Sequence, residues 1–171
     1  MNIKPIIGSG LLVAAFLLLA CSAKADDSKA LKHVAVRATL IGKDTSRTTA
    51  TVSDVPNHEI SQRVYSYTLR SDDKDFDDMR TENFAHTDTT DGKGTHSGYG
   101  IWKNTQGESI YVQFSGEHHP ESGHAGNAEF SGKVTVRGGT GKFANISGQG
   151  SYTGQITPSG QTSEGTLDTR Y

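Results

Sequence analysis

The sequence predicts an all-β protein: a closed antiparallel β-barrel of about eight strands, preceded by a signal peptide. Three observations carry this. Apolar and polar residues alternate over short runs through most of the chain, the period-two pattern of half-buried strands. No run after the leader has the spacing of an amphipathic helix, and turn signals recur about every 8 to 16 residues. Glycines crowd the second half: of 20, all but Gly8, Gly10 and Gly42 lie at or beyond Gly92. Glycine inside a strand pattern marks a bulge, a bend or a crowded wall. A sheet bent that often closes on itself and loses the edges that an open sandwich must protect.

Residues 1–25 read as a targeting segment. Lys4 supplies the positive start, and residues 6–20 are almost wholly apolar yet too few to span a membrane as a helix. Two processing patterns are complete. Leu18-Leu19-Ala20-Cys21 is similar to a bacterial lipoprotein box, in which residues 1–20 leave and Cys21 takes the lipid. Ala23-Lys24-Ala25 is a small-x-small cleavage site that leaves Asp26 first. Either route exports a bacterial protein, to the periplasm, the medium or the outer membrane. Residues 26–171 then form one barrel domain by length.

Removing Lys4 and Lys24 leaves 17 − 2 = 15 basic residues against 19 acidic ones. That balance lacks the positive footprint nucleic acid requires. A membrane is reached only through a lipid on Cys21. Cys21 is the sole cysteine, so the mature domain has no disulfide.

The strands follow in order. Val34, Val36, Ala38 and Leu40 alternate with polar neighbours. Residues 42–46 read as a turn and 47–55 as a Thr-rich strand, broken at Pro56-Asn57. Residues 62–70 put Tyr65, Tyr67 and Leu69 on one face. Five aspartates between Asp72 and Asp78 read as a solvated loop, since the spacing of a calcium loop is missing. Residues 81–88 put Glu82, Phe84, His86 and Asp88 on one face. After the turn at 91–94, residues 95–102 carry Tyr99 and Ile101 on one side and Trp102 on the other. A hairpin loop at 103–108 leads to Ile110, Val112 and Phe114, with His118 continuing their face up to His119-Pro120. Ala128, Phe130, Gly132, Val134 and Val136 line the next inner face. Strands through 151–156 and 165–169 complete the set. Ser-Gly pairs at 97, 115, 131 and 147 fall about one hairpin apart and read as crowded bends.

Between Val136 and Ile146 the chain turns through Gly138-Gly139-Thr140-Gly141-Lys142-Phe143, and Phe143 and Ile146 are placed to plug one end of a core. A phosphate loop is excluded, because Phe143 stands where Ser or Thr must follow the lysine and no helix pattern comes next. This corner, with its Gly-x-Gly and aromatic strand, resembles that of dirigent proteins and of bacterial secreted proteins with the allene oxide cyclase barrel. The resemblance extends upstream through Gly107-Glu108-Ser109-Ile110-Tyr111-Val112-Gln113-Phe114 and covers roughly residues 95–156. It implies an eight-stranded antiparallel barrel around a central cavity, in a group that includes ring-closing enzymes and proteins that guide radical coupling. No catalytic residue of that group maps onto this chain.

Three readings of function follow. The first is a barrel binding a small, largely apolar molecule, with Tyr65, Tyr67, Tyr99, Phe114 and His118 as its lining. The second is a cyclase, isomerase or lyase in which His86 and Asp88, facing an apolar cavity, act as acid and base. The third is a barrel filled by its own side chains that works through its surface in the cell envelope. Binding predicts an aromatic-lined interior cavity of about 300 Å³ or more, and the filled barrel predicts none. No cofactor is implied. Residues 117–124 hold three histidines and two glutamates, but not at a recognised zinc spacing, so no metal is expected. Self-association is compatible with all three readings.

Overall fold

A computed structural model describes residues 30–41, 44–122 and 126–171 of the chain. The leader, Cys21, Gly42 and His124 lie outside the described residues. Nine strands form one sheet: β1 (Lys32–Ile41), β2 (Ser46–Val52), β3 (His58–Arg70), β4 (Arg80–Thr90), β5 (Lys93–Lys103), β6 (Ser109–Pro120), β7 (Ala128–Gly139), β8 (Ser147–Thr157) and β9 (Gly160–Arg170). Every pairing is antiparallel, in the order β1-β9-β8-β7-β6-β5-β4-β3, with β1 pairing β3 to close an eight-stranded barrel. The closing seam is short, with Arg37 opposite Arg70 and Ala38 opposite Leu69. β2 is the extra strand. It lies antiparallel to the first half of β3, as β1 does to the last half, so β2 continues the direction of β1.

Alternation places the faces as the physics of a closed barrel demands. Val34, Leu69, Ile110, Val112, Phe130, Val134, Val136 and Leu167 are buried, while their strand neighbours face out. The expected inner faces of β3, β6 and β7 are found. The face of β4 is not. Glu82, Phe84, His86 and Asp88 do share one side, but it is the outer one; Thr81, Asn83, Ala85 and Thr87 point inward. Polar bookkeeping explains the parity. Thr81 Oγ1 donates to the carbonyl of Tyr67 (3.1 Å), Asn83 Nδ2 donates to Thr81 Oγ1 (2.9 Å), and Ser61 and Thr87 share a hydrogen bond of 2.5 Å. Small hydroxyls and one amide satisfy each other inside, where a histidine and a carboxylate would need more room.

One end of the barrel is plugged. At the corner after β7 the chain passes through Gly141 (φ +58), a left-handed geometry that suits glycine, and makes a single 3-10 turn, Gly141–Phe143. This drops Phe143 and Ile146 into the core, as expected. Phe76 and Met79 enter from the β3–β4 connection, and the rings of Phe76, Phe143 and Tyr171 sit 5.2–6.0 Å apart. The aspartate run is therefore solvated on its outer side, where Asp72, Asp77 and Asp78 are exposed, and a lid on its inner side through Phe76. Lys32 Nζ binds Asp73 (2.8 Å) and Asp75 (3.2 Å); Lys142 Nζ (2.7 Å) and the Tyr171 hydroxyl (2.8 Å) also donate to Asp75. The Lys142 bond, then those of Tyr171 and Lys32, hold the Asp75 carboxyl below the usual range.

If the acidic run is a lid, Phe76→Ala should cost about 3–5 kcal/mol in urea unfolding, the usual cost of an emptied aromatic site. Asp72→Ala, on the exposed side of the same loop, should change stability by less than about 0.5 kcal/mol. Equal small effects would mean a loosely held loop.

Candidate functional site

Beyond the plug, toward the far end, the interior becomes aromatic and polar. A cavity of about 90 Å³ is lined there by Tyr65, Tyr67, Phe114, His118, His96 and Tyr152, among others. Of the five side chains expected to line it, four do; Tyr99 does not, and is 59% exposed on the outer wall. Its inner-face neighbours on β5 are His96, Gly98, Gly100 and Trp102. His86 and Asp88 are exposed outside, and Asp88 accepts from His58 Nε2 (2.9 Å), so they form no pair in the cavity. The cavity also falls short of about 300 Å³, the lower end for drug-sized ligands. Rings from five strands fill most of the bore. What is left has room for about three waters at about 30 Å³ each, or a molecule of about three to four non-hydrogen atoms, well below the roughly 150 Å³ that holds benzene.

The central feature is a girdle at one level of the barrel. His96 on β5 stands opposite Gly116 on β6, Gly116 opposite Gly132 on β7, and Gly132 opposite Tyr152 on β8. A Cβ on Gly116 would meet the His96 ring, and one on Gly132 would meet the Tyr152 phenol. The two glycines are thus the floor on which the rings lie. Across it, His96 Nε2 and the Tyr152 hydroxyl share a hydrogen bond of 2.6 Å from strands that are not neighbours. His118 packs edge-on against His96 (4.6 Å between centroids) and flat along Phe130 (5.9 Å). Phe114 likewise covers Gly98, and Phe130 covers Gly154.

Among the described residues, Arg63 is the buried cation of this half of the bore and is already neutralised; Arg37 and Glu164, cross-strand partners on β1 and β9, border the cavity from exposed positions. Arg63 donates from Nε (2.8 Å) and Nη2 (2.7 Å) to the two oxygens of Asp44 and lies over the Tyr65 ring. Burial, then the neighbouring His118, then Arg63, pull the His96 imidazole down to about 4. Burial first, then Arg63, does the same to His118, also to about 4. Burial pushes Tyr65 up to about 12, and Tyr67 and Tyr152 up as well. At neutral pH the buried part of the lining is uncharged apart from Arg63, which is paired with Asp44. His96 Nδ1 and Gln161 Oε1 are buried with no hydrogen-bond partner among the described residues. Neutral histidine and phenol side by side can exchange a proton with a bound molecule. No group of three His, Cys, Asp or Glu side chains among the described residues is placed to hold a metal. His118 and His119 face opposite sides of β6, and His119 pairs outside with Glu117 (3.4 Å).

His96 and Tyr152 were not singled out by the sequence reading. A signal was present: Trp102, Gly100, Gly98 and His96 share one parity, and both serine-glycine pairs beside His96 put their glycine on that face. No protein-family model matches this chain, and no curated protein matches it either.

The two buried imidazoles bind protons on unfolding, so lowering the pH from about 6.5 to about 4 favours the unfolded chain. Urea unfolding at pH 7 and pH 4.5 should differ by on the order of 2 kcal/mol after allowance for solvent screening at the cavity. His118→Phe should remove roughly half of that difference. His58, raised by Asp54 and then Asp88, acts above pH 6.5 in the opposite sense, so between pH 7 and 6.5 it offsets part of the difference. A flat profile from pH 7 to 4.5 would contradict neutral, buried histidines.

Proposed function

We propose that this protein binds a very small, uncharged, largely apolar molecule of about three to four non-hydrogen atoms inside the barrel. The observation that carries the reading is the aromatic pocket around His96, His118 and Tyr152, whose buried groups are neutral or, in Arg63, paired. An ionic ligand would lose its hydration there with no free counter-charge to replace it. The reading includes export, which rests on the leader at residues 1–25. It also includes kinship with the allene oxide cyclase and dirigent barrels, which rests on the corner at residues 138–143 and agrees with the closed eight-stranded fold.

A second reading is favoured by one observation. The 2.6 Å bond between His96 and Tyr152, beside His118, is an acid–base pair facing the cavity, so an isomerase or cyclase acting on the same molecule would use these groups.

Trp102 is the only tryptophan and lines the cavity, so it reports on occupancy. Titrating small ketones and alcohols such as acetone and 2-propanol should shift its emission and saturate. Ala85→Phe, which fills the pocket from β4, should abolish the response while circular dichroism shows the sheet retained. A response that never saturates, or that survives in Ala85→Phe, would remove the interior site.

A further inference from the structure

The outer wall is not uniform. On β3 to β6, Val64 stands opposite Phe84, Phe84 opposite Tyr99, and Ile101 opposite Tyr111. Phe84, Tyr99 and Tyr111 are 43%, 59% and 41% exposed. They step across three adjacent strands. No equivalent cluster occurs on the outer faces of β7, β8 or β9, where Glu129, Lys133, Arg137, Gln149, Thr153 and Glu164 are exposed. β2 continues the sheet past β3 and borders the aromatic face, making a groove of about 400 Å³ over Ser46, Thr48, Gln62, His86, Ser97 and Gln113. Every one of these flanking side chains is an amide, a hydroxyl or an imidazole. Arg63 also lines the groove, but it is paired with Asp44; the carboxylates on this face of β4 are Glu82, beyond Phe84, and Asp88, beyond His86 and bonded to His58.

Magnitudes separate the possible occupants. The three rings expose together roughly 300–350 Å², the size of an ordinary functional patch. A stable interface with a second copy needs about 800 Å² from each partner. A charged partner would find no opposite charge at the centre. What the face offers is flat π-surface beside neutral donors and acceptors. Sugar rings carry C–H groups on their faces, which suit the negative face of an aromatic ring, and hydroxyls around their edges, which suit amides and hydroxyls. The step from Phe84 to Tyr99, directly opposite on the next strand, is about 4.8 Å, close to the length of one sugar unit in an extended chain, and Tyr111 lies diagonally beyond Tyr99, about 7–8 Å on.

We propose that the outer face of β3–β6 is a second binding site, a platform on which Phe84, Tyr99 and Tyr111 stack the rings of a neutral glycan chain while Gln62, Ser97 and Gln113 bond its hydroxyls. The platform is separate from the interior cavity and does not depend on what that cavity holds.

The test is calorimetric titration of the full chain with cellohexaose, xylohexaose and chitohexaose. At least one should bind. Tyr99→Ala and Phe84→Ala should each weaken that binding about tenfold, the loss of one stacked ring, and Gln113→Ala should weaken it by less. Gln149→Ala, outside on β8, should leave it unchanged. All are exposed positions where the fold tolerates change. No binding of any of the three at millimolar concentration would overturn the proposal. So would an unchanged affinity in Tyr99→Ala, or sedimentation showing that Tyr99→Ala converts a dimer to a monomer.

Discussion

The barrel depends on a shortage of space at inward-facing positions of its curved wall. At Gly116 the place a Cβ would take is occupied by the carbonyl oxygen of Ser131, and at Gly150 by that of Thr166. Bending a sheet into an eight-stranded cylinder tilts each strand in toward its neighbour, and the inner surface shrinks faster than the outer. Glycine is the residue that fits. The backbone weakness it brings is offset by rings from the adjacent strand, which lie on the glycine surface and restore the lost packing. The same shortage leaves a pocket of about 90 Å³ where a wider barrel would have an open bore.

Function follows from where those rings come to rest. At the plugged end Phe76, Phe143 and Tyr171 pack against each other, and the charges that cover them, Lys32, Asp73, Asp75 and Lys142, stay at the surface. That end is dry and apolar. In the other half the rings carry nitrogen and oxygen: His96, His118, Tyr65 and Tyr152. Burial suppresses ionisation of each one. The result is a neutral compartment with hydrogen-bonding capacity, suited to an uncharged ligand and able to move a proton at short range. Removing Arg63 would leave Asp44 uncompensated there, so that pair sets the electrostatic character of the compartment as firmly as the histidines do.

Much of this was legible before any coordinates. Ile110, Val112 and Phe114 announced their own face and carried His118 with them; Phe143 and Ile146 announced the plug. The Ser-Gly pairs at 97, 115, 131 and 147 marked four inward glycines, because serine faces out wherever glycine faces in. β4 was misread because hydrophobicity alone assigns Phe84 to the core. On this strand the inner face is Thr81, Asn83, Ala85 and Thr87, and a one-residue change of parity sends His86 and Asp88 outside. β5 failed for the same reason, with Tyr99 outside and His96 inside. Asp72–Asp78 misled differently. Its charges suggested solvent, yet Phe76 within the run is the residue that decides its place, and the partners of Asp73 and Asp75 come from the two ends of the chain. Contacts between residues so far apart in sequence leave no local pattern to read.

The central claim is that closure leaves no room on the inner wall. Urea unfolding of Gly132→Val set beside Ser131→Val tests it, since the two positions adjoin on β7 and differ only in the face they present. The account predicts a loss of about 3 kcal/mol for Gly132→Val and less than about 0.5 kcal/mol for Ser131→Val. Equal effects at the two positions would contradict it.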